Sequence, residues 1–572
     1  MHGPWRRLFS SDAFSYSDGL THQERTALSY ERLRLVNEAI DNPLDLAAEA
    51  ASLSALHEWM GAADGGLTTI ASIHYNLFLG SLLDHDHDGR DLGEFTRMER
   101  VGTFLCTERG HGNAAVQLET TATFDRESGG FVLNTPTADA CKWMPNTSSL
   151  GGPKSALVAA RLVVDGADHG VFLFLTPLHD DAGSPMPGVE IHPLPQVTSS
   201  PVDHCATSFH DVRLPYEALL QGDHGRLTRS GEFSSSLGSP RKRFLRSIGR
   251  VTMGKLCMSA GSLSLMRQAL AVAMQYAHQR FTSGMTKSQT VPLIAHRSHH
   301  APLLDAVATT YAATLLQRKA VQRWERITDA DREETERLLA ISKGWITWQA
   351  RAVLTECRER CGAQGLLLPN GIAGQLAGNE GTITAEGDNR VIWVKAAGEM
   401  LLGGFTPKPA SEIPPESRQL DDPHHLQDLL ADIERIWCER ARIRLRAGRG
   451  GSGLARWNAT VTPALELVEA HAHRLAAEAL LAGAGERLSA EPRQLLQDLH
   501  RLFALRRVAV GSGDLLANGR LTAEQVQQIP DAIEATIGAL EPYSLTLTDA
   551  FAIPEALLAN IPLLQQSGLA AR

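Results

Sequence analysis

The sequence contains no CxxC pair, no GxSxG, no P-loop and no clear GxGxxG, and its seven cysteines are an odd number scattered from Cys106 to Cys438. Without CxxC, free thiols in a reducing compartment are the simple account. Cys357 and Cys361 stand four apart, on one face of any helix there. No partner lies beside them at ligand spacing, so buried thiols are favoured over metal ligands. Without a Gly-rich fingerprint, a nucleotide cofactor is not held in a Rossmann manner. An excess of positive charge is also missing. Net charge is −10 and the pI is near 6.1, so nucleic acid is not an expected partner, although a local basic site for an anionic ligand stays open. No apolar run suggests a membrane span. The N-terminal MHGPWRRLFSSDAFSYSD is basic but lacks an apolar core, which argues against a signal peptide. The C-terminal LAAR is not a peroxisomal tripeptide of the SKL kind. The expectation is a soluble, cytoplasmic protein, bacterial in source.

What is present is ordinary globular material: 572 residues, 43% hydrophobic and 21% charged. That length suggests three or four domains, and a core large enough to need no disulfide or metal staple. The first hundred residues read as helices, with Leu28, Leu33, Leu35 and Val36 set among charges. From about residue 105 the pattern turns to strands. LETTATFDRESGGFVLNTP is two β runs around Ser-Gly-Gly, and SALVAARLVVDGADHGVFLFLTPL is two more around DGAD. The stretch GDHGRLTRSGEFSSSLGSPRKR reads as a basic Gly/Ser loop. Helical periodicity then returns from about residue 247, with a long apolar segment beginning GKLCMSAG. Further on, Leu338, Ile341, Trp345, Trp348 and Ala352 form one predicted helix face, and Gly362 is a left-handed stop. A Pro-rich break follows, then RAGRGGSG as a second break, and Thr522 with Gln525 makes a capping box. The segments are 1–104 helical, 105–225 β, 245–405 helical and 425–572 helical.

Two motifs tempt and fail. DHDHDGRDLGEF places Asp84, Asp86, Asp88 and Gly89 in calcium-loop register, but the twelfth position is Phe95 and Glu94 falls one short. His296, His299 and His300 cluster without a fourth ligand or supporting shell, so no metal is expected. A third feature is open: Glu386, between Ala385 and Gly387, is either a capping carboxylate in a turn or a base strengthened by desolvation.

The stretch CTERGHGNAAVQLETTATFDRESGGFVLNTPTADACKW resembles the flavin-binding β segment of acyl-CoA oxidases. It presents Thr107 to Gly112, Leu118 to Asp125, Phe131 to Thr137 and Lys142-Trp143 in the family's order. HYNLFLGSLLDH, CRERCGAQGLLLPNGI, TAEGDNRVI and LTDAFAIPEALL extend the resemblance over most of the chain. The resemblance implies a mainly α fold with a β-barrel-like middle domain, a helical bundle carrying the base, and a second C-terminal helical domain. It implies FAD, used across a homodimer, and an acyl thioester oxidised to a trans-2-enoyl thioester, with the α-proton taken by a carboxylate and the β-hydrogen leaving as hydride.

By resemblance Glu386 is that base. Gly387 lets the backbone pass close to the ligand. Thr107, Gly112, Trp143, Asn146, Arg280, Gly362, Gly365 and Asp388 belong to the cofactor side, and Arg250, Gly387 and Leu366 to the substrate side. Met144 and Asn146 depart from the family's K-W-W-P-G, which puts flavin geometry and oxygen reactivity in question. Leu366, Leu367 and Leu368 imply an altered, apolar acyl pocket. The thioester is acyl-CoA or an acyl chain on a carrier protein, and the acceptor is O2 or an electron-transfer flavoprotein. A flavin-poor scaffold subunit is the remaining alternative.

Overall fold

The computed structural model describes residues 2–85, 89–198, 200–286, 288–450, 452–485 and 487–565. The acidic motif's Asp86 and Asp88 and the C-terminal LAAR lie outside the described residues. The chain divides into two compact units, Met1–Cys257 and Met258–Arg572; the expected segments 1–104 and 105–225 fall in the first, 425–572 falls in the second, and 245–405 straddles the division. The secondary structure is mainly helical with a β region in the first unit.

In the first unit, helix α1 (His22–Glu38) starts at a capping box in which Thr21 and Glu24 satisfy each other's backbone N–H groups. Leu33 and Val36 are buried, but Leu35 stands exposed on the other side of the turn. Helices α2 (Ala50–Ala63) and α3 (Gly65–Ala71) run into a π-helical segment, Ser72–Leu79, and α4 (Gly80–His85). Nine strands follow: β1 (Val101–Leu105), β2 (Thr121–Asp125), β3 (Gly130–Asn134), β4 (Lys142–Asn146), β5 (Lys154–Val164), β6 (Ala167–Pro177), β7 (Val189–Pro193), β8 (His204–Phe209) and β9 (Val212–Leu214). Both predicted hairpins form, β2 with β3 and β5 with β6. The second turns through Asp165 and Gly166, both at positive φ, as a tight two-residue hairpin demands. Less expected are the parallel pairings. β1 and β2 run alongside successive stretches of β5, Val101–Leu105 against Lys154–Val158 and Thr121–Thr123 against Arg161–Val163. A separate three-stranded sheet is ordered β4-β8-β7.

The stretch read as a loop is more structured than expected. It contains a short hairpin, Arg226–Leu227 with Phe233–Ser234, and helix α5 (Pro240–Ser247). The signal for that helix is local: Ser239 accepts a bond from Lys242 N–H, and Pro240 opens the first turn.

Helix α6 (Arg250–Gln279) spans the division between the units. By length and composition it could cross a membrane, contrary to the expectation from sequence, but its apolar window is buried throughout. The second unit continues with α7 (Arg297–Glu325), α8 (Arg332–Arg360), α9 (Ile372–Thr384), α10 (Asn389–Leu402), α11 (Pro423–Ala447), α12 (Gly453–Gly483), α13 (Ala490–Ala517) and α14 (Ala523–Leu540). α8 ends where predicted, with Gly362 at φ +58° just past it. Its buried face is broader than the predicted stripe and takes in Leu339, Ser342, Lys343 and Gly344, while Ala352 is exposed. Trp345, Phe503 and His473 meet edge to face in this core. Thr522 and Gln525 form the predicted capping box on α14.

The first unit buries several histidines in neutral form. Burial pushes His57, His74, His85 and His179 from an ordinary value of 6.5 down to about 4, and His224 down to about 3. The unfolded chain therefore binds protons below pH 6.5 that the folded unit refuses. Stability is lost as pH falls from 6.5 through about 4. The urea midpoint is expected to drop steadily between pH 7 and pH 5. A midpoint flat over that range would show that these imidazoles are not held neutral.

Candidate functional site

Each unit carries its own share of the predicted site residues. In the first unit the organising element is a buried ion pair. Lys142 Nζ donates to Glu108 Oε1 at 3.0 Å, and both side chains are 0% exposed. Lys142 also donates to the carbonyls of Ala159 and Cys106. Glu108 accepts from the Glu119 and Thr120 amides and from the Thr120 hydroxyl. Every partner is supplied, which is the condition for burying two charges. Burial pulls the Lys142 ammonium down and Glu108 pulls it back. The pair fixes the two residues beside it: Trp143 N–H donates to the Thr107 carbonyl at 3.0 Å. Thr107 is exposed, and so are the Trp143 indole, at 38%, and Met144 beside it. Gly112 borders open space, with nothing within 4 Å of an added Cβ.

Met144 takes φ 65°, a costly conformation for a long side chain, and its carbonyl accepts from His204 Nδ1 at 2.7 Å. Asn146 is fully enclosed. Its amide oxygen accepts from the Thr103 hydroxyl at 2.5 Å, and its amide nitrogen donates to Tyr30. Tyr30 in turn meets Asp203 and Lys154, and Lys154 Nζ reaches Asp203 at 2.6 Å and the Asn146 carbonyl at 3.0 Å. Asn146 thus works in an internal polar network that ties α1 to the sheets. Arg250 is similarly engaged. Its guanidinium grips Asp84 through two bonds and donates to the Ala47 carbonyl, in space kept open by Gly80. It braces the helices of the first unit.

In the second unit Glu386 sits between α9 and α10 at φ 57°, followed by Gly387 at φ 97°. Two consecutive left-handed residues make a sharp reversal that only the glycine adopts freely. A Cβ on Gly387 would also come within 2.7 Å of Ile392. The capping carboxylate is Asp388, which accepts from the Arg390 and Val391 amides. The helix therefore does not require Glu386 as its cap, and the glutamate itself holds an unfavourable left-handed conformation. Under the turn lies a group that the motif did not reveal. Lys343 of α8, fully buried, donates to the Ile383 carbonyl, the Gly387 carbonyl and Asn389 Oδ1 at 2.8, 2.9 and 2.8 Å. Its signal in the sequence is slight: Lys343 falls between Ile341 and Trp345 in the chain but off the predicted apolar stripe of α8.

Arg280 lies just past α6, exposed, and its charge is felt at Tyr276, which also senses Cys361 at the end of α8. Gly362 opens onto free space. Gly365 is instead required by the chain itself, because a Cβ there would collide with the Arg358 carbonyl. Leu366, Leu367 and Leu368, expected at an acyl pocket, are 60, 40 and 60% exposed, so within this unit they are surface. Leu366→Ala is therefore expected to shift stability by less than about 0.5 kcal/mol, read from the urea midpoint. Of the histidine cluster, the His300 ring bonds the Ile294 carbonyl through Nδ1, and burial pushes His299 down to about 4.

The chain thus joins a helical and β unit to a mainly helical unit that carries the Glu386–Gly387 reversal and one short hairpin, Phe281–Ser283 with Thr290–Pro292. The comparisons supply its family. Residues 249–401 match the acyl-CoA oxidase C-alpha1 domain and residues 437–560 the acyl-CoA oxidase domain. This chain is an acyl-CoA oxidase-like protein. It is 29% identical over 383 residues to peroxisomal acyl-coenzyme A oxidase 2 of Arabidopsis thaliana, covering 64% of this chain and 55% of that one. It is 24% identical over 528 residues to peroxisomal acyl-coenzyme A oxidase 1 of Mus musculus, covering 86% and 78%. The chain thus spans little more than half the length of the Arabidopsis relative. The fold matches the crystal structure of acyl-coA oxidase1 from Yarrowia lipolytica with a TM-score of 0.84 at 22% identity, over 98% of this chain and 86% of that one. It also matches acyl-CoA oxidase-1 of Caenorhabditis elegans complexed with FAD and ATP, with a TM-score of 0.83 at 20% identity, over 96% and 85%.

Proposed function

We propose that this chain is an FAD-dependent acyl-CoA oxidase that converts an acyl-CoA and O2 into the trans-2-enoyl-CoA and H2O2. The observation that carries the reading is Glu386: an acid in a left-handed turn whose capping duty is met by Asp388. The α-proton of a thioester is far less acidic than a carboxylic acid, so the base needs a site that excludes water and stabilises the developing enolate. In this reading Glu386 takes that proton at its carboxylate, and the fixed turn aims it.

The residues present fit FAD. An exposed indole and a threonine stand together at Trp143 and Thr107 to receive a planar ring, and the exposed Arg280 guanidinium suits phosphate. Thr107, Gly112 and Trp143 would hold the ring side of FAD, and Arg280 with Gly362 would face the phosphates of a second subunit's FAD. Bound FAD would supply the two-electron acceptor. The use of Arg280 and Gly362 toward a second subunit's cofactor makes a homodimer part of the proposal. A reducing cytoplasm suits the free thiols of all seven cysteines, although the curated relatives named above are peroxisomal.

The test is an anaerobic visible spectrum of the purified protein before and after a medium-chain acyl-CoA, followed by air. Bleaching, then one H2O2 per enoyl-CoA, is expected. A persistent flavin band would overturn CoA thioesters as the substrate. Bleaching without peroxide would reassign the acceptor to a flavoprotein. No flavin band after incubation with FAD would overturn the enzyme reading.

A further inference from the structure

The Glu386 turn is held by the neighbouring helix α8 as well as by its own Asp388 cap. Thr384 ends α9, Asn389 begins α10, and the two left-handed residues between them place the carbonyls of Ile383 and Gly387 where no helix hydrogen bond uses them. The Lys343 ammonium supplies the missing donors. It has three N–H groups, and it donates to Ile383 O, Gly387 O and Asn389 Oδ1, at 2.8, 2.9 and 2.8 Å. These lie three residues before Glu386, one after it and three after it. A single buried cation therefore spans the last turn of α9, the reversal and the first residue of α10. The clamp is reciprocal. Asn389 Nδ2 donates back to α8, to the Gly344 carbonyl at 3.2 Å and the Thr347 hydroxyl at 2.8 Å, and that hydroxyl donates to the Lys343 carbonyl at 2.9 Å. α8 is itself anchored in the core by Trp345 and Ile346.

We propose that Lys343, seconded by Asn389, is a positioning residue for the catalytic base: it locks the Glu386–Gly387 reversal to the core helix α8 and so fixes where the Glu386 carboxylate stands. This rests on the reading of Glu386 as the base. A buried ammonium is expensive to keep, and a neutral side chain would fill the same volume at lower cost. What the lysine adds is a rigid three-point attachment for a strained turn. A base displaced by about 1 Å loses about 100-fold in rate, so the attachment acts on proton abstraction rather than on substrate affinity.

The experiment is stopped-flow, anaerobic flavin reduction of the FAD-loaded protein by acyl-CoA and by its α-deuterated form, on Lys343→Met, Asn389→Ala and Glu386→Gln. Lys343→Met removes all three donors at similar length. It is expected to slow limiting reduction about 100-fold, to leave the substrate concentration for half-saturation within about twofold of wild type, and to raise the α-deuterium isotope effect. Asn389→Ala removes one of these acceptors and keeps the Ile383 and Gly387 carbonyls. It is expected to slow reduction by about 10-fold with the same rise in isotope effect, and it keeps the proposal testable where Lys343→Met does not fold. Rates and isotope effects at wild-type values in whichever of the two variants fold would overturn the positioning role, as would a loss confined to substrate affinity. Glu386→Gln separates the two readings. If it reduces normally the base assignment itself fails, whereas an inert Glu386→Gln beside a normal Lys343→Met removes only the clamp.

Discussion

Glu386→Gln is expected to fold, bind FAD and bind acyl-CoA as the wild type does, while anaerobic flavin reduction slows by about 10,000-fold. The substitution is close to isosteric, so the left-handed turn, the Asp388 cap and the Lys343 clamp keep their partners. What disappears is the only group in the turn proposed to accept the α-proton. An amide cannot take up that proton, and nothing in the general-base contribution survives its loss. Single-turnover mixing followed by flavin absorbance measures the effect directly, because it isolates the reductive step from reoxidation. A loss below about 10-fold would transfer the proton to another group. A loss of flavin instead of rate would make Glu386 a structural residue of the turn.

The second large effect concerns stability. Lys142→Met is expected to destabilise the first unit by about 3–5 kcal/mol, because it strands the Glu108 carboxylate in a fully buried site without its countercharge. Glu108 would keep the Glu119 and Thr120 donors, which temper the loss without neutralising the charge. The double variant Lys142→Met with Glu108→Gln removes both charges and is expected to recover more than half of that stability, since the cost lies in the unpaired ion rather than in the absence of a pair. Urea unfolding of the three variants closes the cycle. Additive losses would mean the two side chains do not act together. The same substitution is expected to weaken flavin retention, because the pair holds the Thr107–Trp143 hydrogen bond in register.

Elements whose signals are local were legible in the sequence. The Asp165-Gly166 hairpin, the Thr522–Gln525 capping box and the stop at Gly362 each depend on two or three neighbouring residues, and each forms. The helix at Pro240–Ser247 was hidden by its basic, Ser-rich surroundings, although Ser239 and Pro240 mark its start. The parallel run of β1 and β2 along β5 was not legible, because parallel register depends on partners some forty to fifty residues away. The same holds for the site. Glu386 stands in a motif, but Lys343 lies 43 positions earlier and joins the turn only through the packing of α8. Glu108 and Lys142 were read as parts of a family pattern, whereas their charge pairing appears only once both are buried. Asn146 and Arg250 were assigned by position in that pattern. Their side chains are given to Tyr30 and Thr103, and to Asp84, choices no local window contains.

An oxidase that releases peroxide exposes its own side chains to oxidant, and the thiolate is the form of cysteine that oxidant attacks. Here burial works against that form. The Cys106 thiol, next to Thr107, is pushed up to about 11 and Cys361 up to about 12, while Cys141, Cys205, Cys357 and Cys438 are raised as well. At neutral pH these sulfurs stay protonated and slow to form sulfenic acids. On the proposed oxidase reading, the same packing that builds the core would equip the chain to survive many rounds of making a product corrosive to itself.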